Sequence, residues 1–402
     1  MRYFNYLSLE EEQELFYSAP IHYNNSSQQE LLAYAVGAAL YCPATRPTIA
    51  RDILTERHQG LTSWVLDLED AVGDQQVEMA EASLIQQLTQ LYVQLQQEQV
   101  HRDQLPLLFI RVRSIGQLER MIDQLGEMMI LITGFMLPKF DPEQGLQYFQ
   151  AIARYNQEKD LNAPILYGLP ILETAAVIYR ETRVEHLLAI KEILDTYKAY
   201  VLNVRIGATD FSSLFGLRRS PDMTIYDIAP IRDCMSDIIN LFGRMDSPYV
   251  ISGPVWEYFA NGERVLKPML RQSPFEEALG DDGRKLRKEY INRHVDGLIR
   301  EVIMDKENGI VGKTIIHPTH IGLVQSLYTV TREEFEDAES IIRNNNGELG
   351  VFKSGYANKM NEIKPHLNWA QKIIARSQIY GVLHEQQHFI SLLSEQEQRI
   401  YV

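Results

Sequence analysis

The chain reads as an α/β protein of the closed (β/α)8, or TIM, barrel class, with helical extensions at both ends. Three observations predict this. Eight apolar strand-like runs alternate with helical stretches, and such alternation implies right-handed βαβ units. Nearly every run ends in a polar or charged residue, as expected where the C-terminal ends of barrel strands share one functional rim. No GxGxxG or P-loop sequence follows any run, so the doubly wound sheet lacks its usual marker.

Taken in order, residues 1–30 are polar and form an N-terminal extension, with an acidic helix expected near 8–17. The barrel is expected over 31–330. Its strand and helix pairs fall at 34–42 with 47–58, 63–68 with 77–97, 106–112 with 115–125, and 129–137 with 142–157. The second half continues with 164–172 and 175–197, then 200–206 and 225–242. A short strand at 249–252 precedes an insertion with helices through 304, and the eighth strand is 313–317. A helix is expected at 318–327. Residues 331–402 form a C-terminal helical extension, with helices at 333–343 and 365–381 and a polar tail. Such an extension caps a rim as a lid or makes an oligomer contact.

A barrel with insertions accommodates 402 residues, and 45% hydrophobic content is enough for a large core. A net charge of −15 and a pI near 5.2 argue against nucleic acid as the main partner. The two cysteines, Cys42 and Cys234, have neither disulfide-framework nor metal-site spacing, which suits a reducing compartment. No signal-peptide core or run of membrane-spanning length is found, so a cytoplasmic protein without a membrane partner is expected.

The stretch that organises the rest is Leu169-Pro-Ile-Leu-Glu-Thr-Ala-Ala-Val-Ile-Tyr179, where Glu173 stands in a nearly apolar run. A buried carboxylate costs several kcal/mol unless a cation or several donors meet it. A second apolar run, Val201-Leu-Asn-Val-Arg-Ile-Gly-Ala-Thr-Asp210, also ends in a carboxylate. On neighbouring parallel strands, about 4.8 Å apart, Glu173 and Asp210 converge as two hard oxygen ligands suited to Mg²⁺. The alternative is an ion pair of Glu173 with Arg205 or Arg111. Around the rim stand Arg46 after the first strand, Glu69 and Asp70 after the second, and Arg111 and Arg113 at the third. Lys139 follows the fourth strand, Glu173 the fifth, Asp210 the sixth, Ser252 the seventh and His317 the eighth. His317, before Pro318, is expected to be structural. Arg218 and Arg219 are as readily solvated loop residues as anion ligands. Gly207 and Gly216 are expected to relieve backbone crowding.

Several of these pieces resemble a known group in matching order. They are Tyr41-Cys-Pro-Ala-Thr-Arg-Pro47, Val65-Leu-Asp-Leu-Glu-Asp-Ala-Val72, Ile110-Arg-Val-Arg113, Leu137-Pro-Lys139, Leu172-Glu-Thr174, Gly207-Ala-Thr-Asp210 and Gly312-Lys-Thr-Ile-Ile-His-Pro318. Together they resemble the citrate lyase β-subunit and malyl-CoA lyase branch of the HpcH/HpaI aldolase superfamily. The longer Glu173-to-Asp210 spacing, Arg113 in place of an Asn, and the enlarged N-terminus and insertion resemble the C–C bond lyase subfamily of tellurite-resistance gene clusters.

The resemblance implies a Mg²⁺-dependent carbon–carbon lyase or aldolase, with Mn²⁺ as a substitute ion, acting through an enolate on a small carboxylate or an acyl-CoA thioester. Glu173 and Asp210 are then the metal ligands. Arg111, Glu69 and Asp70 are the catalytic group: Arg111 meets the enolate or substrate carboxylate, and the two acids order the ion's waters. Arg46 and Lys139, with Arg111, bind substrate. A homo-oligomer, trimer or hexamer, is expected. Two alternatives stand beside this reading. One is a bond-forming enzyme of a specialised-metabolite or stress pathway that does without CoA; the other is a non-catalytic scaffold barrel.

Overall fold

A computed structural model of the protein describes residues 1–259, 274–292 and 295–393. The chain divides into two compact units. The first comprises Met1, Tyr23–Phe259 and Gly297–Ile321 and contains the barrel.

Eight parallel strands close on themselves in sequence order: β1 (Ala38–Pro43), β2 (Ser63–Asp67), β3 (Leu107–Arg111), β4 (Ile132–Leu137), β5 (Tyr167–Leu172), β6 (Val204–Ile206), β7 (Ile251–Trp256) and β8 (Lys313–Ile315). The expected α/β barrel is therefore the observed one. Strands β2 to β6 are buried at every position, which is why they read as continuous apolar runs rather than alternating ones. The register pairs Asp67 with Arg111 across β2 and β3, and Leu172 with Ile206 across β5 and β6.

Local sequence explains where the helices begin. Ser114 accepts from the Gln117 N–H at the start of Ile115–Leu125. Asp141 accepts from the Glu143 and Gln144 N–H groups ahead of Pro142–Glu158, with Pro at the first helical position.

Four differences from the sequence expectation stand out. Residues 34 and 35 end a short helix, Gln29–Ala35, instead of opening β1. The helix expected over 175–197 is broken into Ala175–Ile178 and Arg183–Thr196. An unexpected helix, Ala208–Leu214, follows β6 directly. Strand β7 runs to Trp256, so Ser252 lies near its start and is not a rim residue. Between β7 and β8 the structure describes the helices Pro274–Asn292 and Asp296–Glu307; the rest of the expected insertion, 260–273 and 293–294, lies outside the described residues.

The second unit gathers Arg2–His22, the described residues of 260–296, and 322–393. Here the N-terminal and C-terminal segments, expected as separate extensions, pair with each other: strand Phe16–Ser18 runs antiparallel to Val382–Leu383. Helices Arg332–Arg343 and Ile363–Tyr380 enclose a core of Val330, Ala338, Ile341, Ala370, Ile373 and Val382. A hairpin of Val351–Lys353 with Met360–Glu362 was not anticipated. Among the described residues no helix is long and apolar enough to cross a membrane.

Candidate active site

The C-terminal strand ends of the barrel surround a cavity of about 420 Å³, lined among others by Tyr41, Asp70, Arg111, Glu173, Arg205 and Asp210. Its acidic side is built by β2. Asp67, the last residue of that strand, accepts from the Glu69 and Ala71 N–H groups at 2.9 and 3.2 Å, folding the acidic turn back on itself. From the register-paired position on β3, Arg111 donates Nε and Nη2 to the two Asp67 oxygens at 2.7 and 2.6 Å. Its Nη1 lies 2.9 Å from Glu69 Oε2 and 3.1 Å from Asp70 Oδ2. Burial opposes the charge on Arg111, but Asp67, Tyr41 and Glu69 together hold its pKa above the ordinary value.

Arg113 grips the same turn from its other side. It donates Nε to the Leu68 carbonyl at 2.7 Å and Nη2 to the Glu69 carbonyl at 3.0 Å, pairs with Asp74 and also reaches the Val72 carbonyl. This residue had no assigned task in the sequence. The strand-end sequence Arg-Val-Arg, with its two arginines two residues apart on one face, was the available signal.

The metal-ligand candidates come from adjacent strands. Glu173 directly follows β5 and is 4% exposed. Asp210 stands in the first turn of Ala208–Leu214, directly after β6. Gly207 separates that strand and helix, and a Cβ there would run into the Glu173 carboxylate, so glycine leaves the space that Glu173 fills. Lys139, with a left-handed φ of 47°, donates its N–H to Glu173 Oε1 at 2.8 Å. Its ammonium pairs with Glu69 and lies 3.8 Å from Asp70 and 4.0 Å from Asp210.

Burial first, and then the neighbouring Asp210 charge, push Glu173 up to about 8. Burial also raises Asp210, with Lys139 opposing and Asp70 adding to the rise. Glu69 is raised by burial against the pull of Arg111 and Lys139. Burial alone would raise Asp70, yet Arg111, a hydrogen bond with Glu69 and the charge of Lys139 together hold it below the usual range.

These observations test whether the residues fit a divalent ion. Glu173 and Asp210 are two hard carboxylates facing each other at raised pKa, the condition a cation relieves. Among the described residues no group of three or more His, Cys, Asp or Glu assembles in metal-binding geometry. The chain's share of such an ion's ligands would be these two carboxylates, with water and substrate left to supply the other oxygens. That donor set fits Mg²⁺, which keeps several waters and takes one or two carboxylates.

The family described as the C–C bond lyase of the TIM-barrel fold matches residues 30–382. The chain belongs to this family. The TIM-barrel fold is shared with a structure of CitE from Mycobacterium tuberculosis in complex with magnesium, acetoacetate and coenzyme A. That likeness has a TM-score of 0.51 at 19% identity and covers 86% of this chain and 99% of that one. RipC from Yersinia pestis matches at a TM-score of 0.45 and 16% identity, over 75% of this chain and 99% of its own. The M. tuberculosis citrate lyase β-subunit with oxaloacetate and magnesium matches at 0.44 and 19%, over 74% and 98%. Among curated proteins no sequence match is found.

Within this lyase barrel the remaining expected residues separate. Arg46 does not line the cavity: its guanidinium is held by buried Asp52 at 2.6 Å and by Thr48 at 3.1 Å. His317 stacks on Phe259, with ring centroids 4.8 Å apart, and its Nδ1 meets the Thr319 hydroxyl at 2.8 Å. Its partner is thus a side-chain hydroxyl. Arg219 is buried between Glu257 and Glu301 over the Trp256 ring, while Arg218 is exposed. Sequence reasoning gave no site role to Asp67, which aims Arg111, and weighed Arg205 only as an ion-pair partner of Glu173, whereas it forms part of the cavity wall.

Proposed function

We propose that this lyase makes or breaks a carbon–carbon bond next to a carbonyl through an enolate, with Mg²⁺, on a small carboxylate or its CoA thioester. The observation that carries the reading is the convergence of Glu173 and Asp210 in one cavity with a firmly oriented Arg111. When bound, Mg²⁺ supplies Lewis acidity to the substrate's carboxylate and adjacent oxygen.

The other tasks fall to the chain. Glu173 and Asp210 hold the ion. Arg111, its fork fixed by Asp67, meets negative charge as it develops on the enolate oxygen; because its direction is set beforehand, little reorganisation is needed at the reacting moment. Asp70 and Glu69 orient what enters beside Arg111, and Lys139 balances them. Lys139 also steadies Glu173 through its backbone N–H. Arg46 is not favoured for substrate binding, because its charge is already met by Asp52.

The finer placement, with the lyases of tellurite-resistance gene clusters, rests on the long Glu173-to-Asp210 segment and on Arg113. Turnover of free 2-oxo acids compared with CoA esters separates the two substrate classes. A scaffold barrel has no use for so many buried charges around one cavity, which favours an enzyme.

The deciding experiment is calorimetric titration of Mg²⁺ and Mn²⁺ into metal-free wild type, Glu173→Gln and Asp210→Asn. One ion per wild-type chain, and none in either variant, is expected. Unchanged ion binding in both variants would sink the assignment.

A further inference from the structure

An enolate must receive a proton on carbon before it can leave as product, and the acids around the cavity are already engaged. Asp67 gives both oxygens to Arg111, and Asp70 keeps its charge beside the same guanidinium. Glu69 lies between Arg111 and the Lys139 ammonium. Against burial, Glu69 and Asp70 hold the Lys139 proton more firmly than usual. Glu173 and Asp210 are the carboxylates assigned to the ion. Among the described residues that line the cavity, this leaves the phenol of Tyr41, on β1, as proton donor.

Tyr41 is partly buried and stands between two guanidiniums, its ring centroid 5.2 Å from Arg111 and 6.0 Å from Arg205. Its hydroxyl is hydrogen-bonded with Arg205, which is 1% exposed and also donates Nη2 to Thr314 Oγ1 at 2.6 Å. A guanidinium only donates, so the phenol oxygen accepts and its own hydrogen turns elsewhere. Among the described residues Arg205 has no carboxylate partner, so the Glu173–Arg205 pair weighed from the sequence does not form. The Arg205 charge is therefore available to meet a phenolate. Burial raises the Tyr41 pKa above the ordinary phenol value, against the pull of both arginines, so the group carries its proton at neutral pH. The register sets the height of this contact. Arg205 pairs with Ile171 on β5, and Glu173 lies two residues further on the same inward side, a layer higher by roughly 6–7 Å. Tyr41 and Arg205 thus meet at the floor of the cavity, beneath the paired carboxylates.

We propose that Tyr41 is the catalytic acid of this site and gives its phenol proton to the α-carbon of the enolate. This rests on the reading that Arg111 meets an enolate beside the ion. In cleavage, the electron pair of the broken carbon–carbon bond becomes the enolate of one fragment. The other fragment leaves as a carbonyl compound after its hydroxyl sheds a proton. The enolate π pair takes the Tyr41 proton to form the new C–H bond, leaving a phenolate between Arg205 and Arg111. The proton shed by the hydroxyl returns through water to the Tyr41 oxygen, so none is gained or lost.

The test follows, by proton NMR in D2O, exchange of the methyl protons of pyruvate and of acetyl-CoA with Mg²⁺-loaded enzyme. Exchange is the reverse of the proposed step followed by return of a deuteron. Wild type is expected to exchange at least one probe faster than Mg²⁺ alone. Tyr41→Phe keeps the ring between the guanidiniums and should lose exchange by about 10²–10⁴, the usual worth of general acid–base catalysis, with Mg²⁺ affinity and Tm unchanged. Exchange kept by Tyr41→Phe overturns the proposal. So does a variant that loses Mg²⁺ affinity along with exchange, since Tyr41 would then only uphold the site. No exchange by Mg²⁺-loaded wild type overturns it whether or not the variant folds. A repeat in EDTA separates this from the metal reading. Exchange that needs Tyr41 but persists in EDTA upholds the acid and removes the ion. One Mg²⁺ per chain with exchange indifferent to Tyr41 leaves the metal reading standing and removes this one.

Discussion

Glu173 is the residue whose environment says most about the chemistry. Its folded-state pKa, about 8, lies above the ordinary 4.5 because burial and Asp210 both disfavour its charge. Between those two values the metal-free folded chain keeps a proton that the unfolded chain releases. The stability from this raised pKa is therefore fully present below about 4.5 and is lost as pH rises through about 8. A cation needs the ionised form, so its binding must expel that proton. Calorimetry at pH 7 in buffers of different ionisation enthalpy should show about one proton released per Mg²⁺, falling towards zero at pH 9. Absence of proton release at pH 7 would contradict the assignment of Glu173. Arg111 carries the second prediction at this scale. Arg111→Lys keeps the charge but cannot grip both Asp67 oxygens, so kcat should fall by about 10²–10³, the usual cost of losing an aimed donor. Steady-state kinetics beside circular dichroism checks this, and an unchanged kcat in a folded variant would remove Arg111 from the catalytic group.

At the scale of elements, the site depends on two short connections. One is Gly207, the single residue between β6 and the helix that carries Asp210. It lets Glu173 lie against the backbone of the neighbouring strand end. Gly207→Ala should push the Glu173 carboxylate out of place and weaken Mg²⁺ binding by about tenfold or more, in line with the 1–3 kcal/mol of a typical overpacking change. Far-UV circular dichroism should stay unchanged; full metal affinity in this variant would show that the carboxylate has room to move. The other connection is the turn after β2, which Asp67 folds from within and Arg113 ties down by its carbonyls. Glu69 and Asp70 are thus set by backbone contacts as much as by their own ion pairs.

For the whole molecule, the alternation of apolar runs with amphipathic stretches made the eight-stranded barrel legible, because fully buried parallel strands leave continuous hydrophobic segments. Strand boundaries were less legible. Residues 34–42 read as one apolar run, yet a helix ends at Ala35 and β1 begins at Ala38, with Gly37 at a left-handed φ of 45° between them. Ser252 reads as a rim residue because the sequence pattern stops a short strand there, whereas β7 runs on through Gly-Pro-Val-Trp to Trp256. The pairing of Phe16–Ser18 with Val382–Leu383 joins segments more than 360 residues apart, and no local pattern encodes so distant a partner.

By itself the sequence determined the barrel, the order of its strands and the carboxylates that terminate two neighbouring ones, since each is written in local periodicity and in where an apolar run stops. Only the tertiary structure decided how the charges pair. It turned Arg46 to Asp52, locked Arg111 on Asp67, set Lys139 among the acids and gave Arg205 no acid among the described residues. The physical reason is that an ion pair depends on distance and burial, which arise when strands meet in register. A one-dimensional pattern records which charges exist but not which of them touch.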